Sequence, residues 1–85
     1  MNSYEELKLI KYREIFEQEL SGLQRRRSTD PLCTIQDIEL VLRNIYIREG
    51  ADIQGRGQMQ DLIMAATIAA YELFIAKWKA ETQSR

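Results

Sequence analysis

The sequence predicts an all-α protein, and three observations carry that prediction. Apolar residues recur at three- and four-residue spacing in three stretches, a glycine-rich break divides the last two, and no alternating strand pattern of useful length competes. The extreme case is the run from Leu62 to Ala76, where Glu72 is the single charge. A helix so apolar around its circumference needs cover on nearly every side, and a chain of 85 residues has little other material to supply it. The expected architecture is therefore a three-helix chain, an N-terminal helix plus a long helical hairpin, assembling into a helical bundle as a homodimer. Residues 1–85 form one domain, with helices at about 3–25, 34–49 and 58–81.

The first helix opens at Ser3, because Ser3 and Glu6 have the spacing of a capping box. Leu9, Tyr12, Phe16, Leu20 and Leu23 fall in one stripe at about 100° per residue and are the expected core face. Gly22 weakens the last turns, and the polar stretch from Arg25 to Asp30 before Pro31 ends the helix. The second helix has two candidate starts, Asp30 with Pro31 or Thr34 with Asp37 three residues on; the second is preferred. Ile35, Ile38, Leu42 and Ile45 form its core stripe, and Cys33, Leu40 and Ile47, spaced by sevens, form a second stripe on the other side.

GADIQGRG, with glycine at 50, 55 and 57, is loop chemistry and joins helices two and three. The third helix is the longest, roughly 36 Å at 1.5 Å per residue. Asp61, Glu72 and Lys79 mark its narrow polar seam, while Ala66 and Ala70 remove bulk from the apolar side and invite a close helix crossing.

Composition excludes more functions than it supports. The chain is 45% hydrophobic and 29% charged, with 12 basic and 13 acidic residues, a balance that does not mark a binder of nucleic acid or anionic membranes. Its opening, MNSYEELK, lacks an apolar leader, and the single cysteine, Cys33, cannot form an intrachain disulfide, so the cytoplasm is the expected location. The apolar run is shorter than the roughly 20 residues that span a bilayer and is flanked by Asp61 and Lys77, so no membrane crossing is expected.

Catalysis is not expected either. With no histidine, Ser/His, Cys/His and Glu-x-x-His arrangements are excluded. Paired acids such as Glu14 and Glu17 are ordinary on solvated helix faces, and Asp61 and Glu72 stand roughly 16 Å apart along one helix. No metal or other cofactor is implied. Cys33 near a helix start has thiolate potential, but its alignment with Leu40 and Ile47 favours packing.

Function then rests on shape: a small self-associating helical protein, acting through protein–protein contacts as a scaffold, adaptor or complex subunit. The partner is a second copy, with another protein as the further candidate. Expected interface residues are Cys33, Leu40, Ile47, Ala66, Ala70, Phe74 and Trp78, with Trp78 as an exposed anchor. The alternative is an anion-binding regulator that holds a nucleotide or nucleic-acid phosphate. Its candidate residues are Arg25, Arg26 and Arg27 at the end of the first helix and Gly55, Arg56 and Gly57 at the start of the third. The glycine turn lacks the P-loop spacing and no strand precedes it, while basic residues at a helix C-terminus need no ligand to explain them.

Overall fold

A computed structural model describes residues 3–51 and 57–83, and every regular element among them is helical: α1 (Ser3–Thr29), α2 (Ile35–Ala51) and α3 (Gln58–Gln83). The protein is all-α. α1 runs past its expected end to Thr29, the last residue before the one that precedes Pro31. Its final turn is closed by the Asp30 N–H donating to the Arg26 carbonyl at 2.9 Å, and by the Ser28 and Thr29 hydroxyls, both donating to the Arg25 carbonyl. Gly22 is absorbed within the helix without a break.

The turn between α1 and α2 is held by the side chain of Asp30, which accepts from the Leu32 N–H at 3.1 Å, and by its carbonyl, which accepts from the Cys33 N–H at 3.0 Å. α2 then starts on a reciprocal capping box. The Asp37 N–H donates to Thr34 Oγ1 at 3.1 Å, and the Thr34 N–H donates to Asp37 Oδ2 at 3.0 Å.

α3 is the central element, and α1 and α2 each pack on it rather than on one another. At one end Tyr4 OH donates to Gln58 Oε1 at 3.4 Å, and at the other Arg27 meets Glu81 at 2.9 Å, so α1 lies parallel to α3. Across α2 the order reverses: Glu39 pairs with Lys79 at 2.7 Å, and Tyr46 OH donates to Glu72. α2 and α3 are thus an antiparallel hairpin. Rising 1.5 Å per residue, α2 ends at about the level of Thr67, and among the described residues the first turns of α3 are left with α1 alone. The result is a three-helix body carrying a two-helix arm. The radius of gyration is 14.8 Å, above the about 12 Å of a compact domain of this length.

The core sits in the three-helix body, where Leu23, Cys33, Ile38, Leu42, Phe74 and Ile75 are buried together. No polar side chain is buried among the described residues. Three sequence expectations change. Leu9, assigned to the core stripe, is 72% exposed, and Tyr12 is exposed too, because α1 turns Lys11, Ile15, Glu19, Leu23 and Arg27 toward α3. This row of fours inclines to the helix axis and leaves the mixed three-and-four stripe behind above Phe16. Cys33 is buried instead of continuing the outer stripe of α2, because Thr34 caps the helix after it and heptad counting does not extend through the turn. Ala66 and Ala70, expected between chains, are 0% exposed within one chain, and Phe74 is buried beside Leu23.

Two substitutions check this packing. Gly22 is helical and an added Cβ would meet nothing within 4 Å, so Gly22→Ala is expected to raise the free energy of unfolding by about 0.5–1 kcal/mol. Ile38→Ala, which truncates a fully buried side chain, is expected to lower it by about 2–5 kcal/mol. Urea unfolding followed by circular dichroism measures both, and a destabilising Gly22→Ala contradicts a continuous α1.

Candidate functional site

The two-helix arm explains why apolar side chains reach water on α1. Beyond the end of α2 one flank of the helix pair has no neighbour among the described residues, and α1 exposes Leu7, Leu9 and Ile10 on its outer side, while the exposed Tyr4 and Tyr12 lie nearer its α3 side. Its inward positions carry Lys8 and Lys11, half-buried through their stems. The Lys8 ammonium lies 3.1 Å from Glu5 and 5.1 Å from the centre of the Tyr4 ring, so the charge stays at the rim. On the outer side, Leu9 and Ile10 border a shallow groove of about 190 Å³ closed by Arg13, Glu14 and Glu17.

α2 carries the other exposed apolar pair. Leu40 and Ile47 are 55% and 61% exposed and lie two turns apart on the side of α2 away from Ile38 and Leu42. Of the residues expected at an interface, these two alone stand well out in solvent. Trp78 is half-buried: its ring meets Phe74 edge-to-face at 5.6 Å, and the Arg27 guanidinium stacks on it at 4.2 Å while pairing with Glu81. A groove of about 350 Å³ lies over this cluster between the ends of α1 and α3. The tryptophan acts as a clasp that ties those ends together.

The arginine cluster does not converge. Successive residues on a helix point 100° apart; Arg27 turns to Trp78, whereas Arg25 borders a surface shared with Glu14 and Glu17. Gly55 and Arg56 lie outside the described residues. Gly57 is exposed, and its carbonyl accepts the Asp61 N–H at 3.1 Å as α3 begins. Asp61 in that first turn already places a carboxylate at the positive end of the helix, which weakens the case for an external anion there. Among the described residues no three His, Cys, Asp or Glu side chains gather as a metal site would require.

By length and composition α3 is also apolar enough to cross a membrane, its most apolar 18-residue window having a mean hydropathy of 1.3, a property that core helices of soluble proteins share. Its polar seam has protein partners, since Glu72 accepts from Tyr46 and Lys79 pairs with Glu39. No family model, curated protein or solved structure matches the chain.

The exposed α1 face was missed from the sequence because Leu9 and Tyr12 complete a plausible core stripe. The available signal was Leu7 and Ile10, which stand off that stripe and make the start of α1 apolar on more than one side.

Two tyrosines on α3 and its partner helix titrate above the ordinary value of 10.0. The hydrogen bond to Glu72 is the main cause at Tyr46, followed by burial and the charges of Glu72 and Glu49; at Tyr71 burial leads, Glu19 adds and Arg26 opposes. A phenol whose folded-state pKa is raised stabilises the fold fully below its unfolded value and loses that contribution as pH rises through the folded one. Wild-type melting temperature should therefore fall as pH rises past 10.0. Tyr46→Phe should fall by less, and only slightly less, because Tyr46 is 43% exposed. Thermal melts of both proteins across this range check the sign; a steeper fall for Tyr46→Phe contradicts it.

Proposed function

We propose that this is a small self-associating helical protein, without catalysis or cofactor, that acts through protein–protein contacts as a scaffold, adaptor or complex subunit. Its unit is a homodimer in which helices of two chains complete a bundle in the cytoplasm. The single observation that carries this reading is the exposure of Leu7, Leu9 and Ile10 on the outer side of the α1 arm, in a chain where Leu23 is the first buried residue of α1. Contiguous apolar surface beyond a few hundred Å² is uncommon on soluble monomers and marks contact surfaces. At roughly 25 cal/mol per Å², covering a few hundred Å² contributes several kcal/mol, comparable to the whole stability of a small domain.

Light scattering on a size-exclusion column over a hundredfold range of concentration tests the proposal. The expected mass approaches twice the 10.0 kDa chain as concentration rises. A constant 10.0 kDa throughout rejects self-association.

A further inference from the structure

Resting on that reading, we infer which face pairs with the second copy and in which direction: two α1 helices meet antiparallel about a two-fold axis between Leu9 and Ile10, with Glu6 of each copy opposite Arg13 of the other. Leu9 is 72% exposed and Ile10 55% exposed, on the side of α1 turned away from the Lys11, Ile15 and Glu19 row that faces α3. Glu6 and Arg13 flank this pair seven residues apart, so they lie two turns apart on nearly the same line of the helix. Both are exposed, and neither forms an ion pair within the chain among the described residues.

This order of side chains, acid then apolar pair then base, is complementary to its own reverse. An interface about a two-fold axis must match a surface to itself. Reversed on itself about its centre, the α1 segment sets Leu9 against Ile10 and Glu6 against Arg13, and the two-fold repeats each match. A parallel pairing would set Glu6 against Glu6 and Arg13 against Arg13, which like-charge repulsion disfavours.

The outer face of α2 lacks this property. Between Leu40 and Ile47 it carries Arg43 and Asn44, so a two-fold pairing there sets each arginine against an asparagine, with no acid to match it, over only two apolar residues from each chain. α1 is therefore the face for a second copy. One face of a helix arm is smaller than the roughly 800 Å² per partner of a standard interface, so the dimer is expected to dissociate measurably on dilution.

Charge reversal tests the register. Arg13→Glu and Glu6→Arg each replace both attractive pairs of the dimer with repulsive ones, and each is expected to raise the dissociation constant about tenfold or more in sedimentation equilibrium. The double variant Glu6→Arg/Arg13→Glu keeps the net charge and restores opposite charges at both pairs, so its constant should return to within about threefold of wild type. An equimolar mixture of the two single variants should also dimerise better than either alone. All four positions of charge are on an exposed helix face, and unchanged circular dichroism of the diluted variants shows that folding is not the cause. If the double variant is as weak as the product of the single effects, or if Leu40→Glu dissociates the dimer while Arg13→Glu does not, this pairing is wrong although self-association stands. A wild-type chain that stays monomeric throughout overturns the pairing and the function together.

Discussion

The close approach of α1 to the alanine face of α3 is the constraint from which the rest of the structure follows. Ala66, Ala70, Phe74 and Trp78 stand four apart on α3, and the first two have nothing beyond Cβ to hold a neighbour away. α1 answers with its own row of fours, Lys11, Ile15, Glu19, Leu23 and Arg27. Rows of four incline to the helix axis, so a helix seated this way at Leu23 has rotated by Leu9 until its leucines point outward. α1 is one continuous helix, and its rotation at the arm is dictated by its packing in the body. The lysines at 8 and 11 suit the inward side there because their stems cover α3 while their charges remain in water.

Length sets the second condition. α2 is pinned at its start by the Asp30 turn and the Thr34–Asp37 capping box, and it has 17 residues against 26 in α3. It therefore cannot cover the beginning of α3 or the flank of α1 beside it. Glu39–Lys79 and Tyr46–Glu72 fix how α2 lies along α3. Such exposed pairs are worth little in stability. Ile38, Leu42 and Ile75 supply the burial that keeps α2 in place, and the polar pairs choose its direction and register.

Much of the fold was legible in the sequence because it rests on local rules. Thr34 with Asp37, the periodic Ile35, Ile38, Leu42 and Ile45, and the small Ala66 and Ala70 each report a cap, a stripe or a close approach without knowledge of the partner. What periodicity does not encode is which of two adjacent stripes a long helix turns inward, since Leu9–Tyr12–Phe16 and Lys8–Lys11–Ile15 are offset by one residue and the choice is made by the crossing with α3. The same limit applies at Trp78. Its apolar ring near the end of α3 reads as an exposed anchor, and only the arrival of Arg27 from α1, two helices earlier in the chain, turns it into a clasp. Cys33 failed differently: counting sevens from Leu40 assumed a helix that the Thr34 cap begins one residue too late to include.

The two exposed apolar faces differ in kind, and that difference bears on what an assembly of this chain can do. The α1 face matches its own reverse, whereas the α2 face places Arg43 between Leu40 and Ile47 and does not. A two-fold pair through α1 consumes the first face and duplicates the second, because symmetry gives each dimer two copies of every surface outside the interface. Presented twice on the proposed dimer, even a weakly binding surface would gain from effective concentration where both copies engage the same target or assembly.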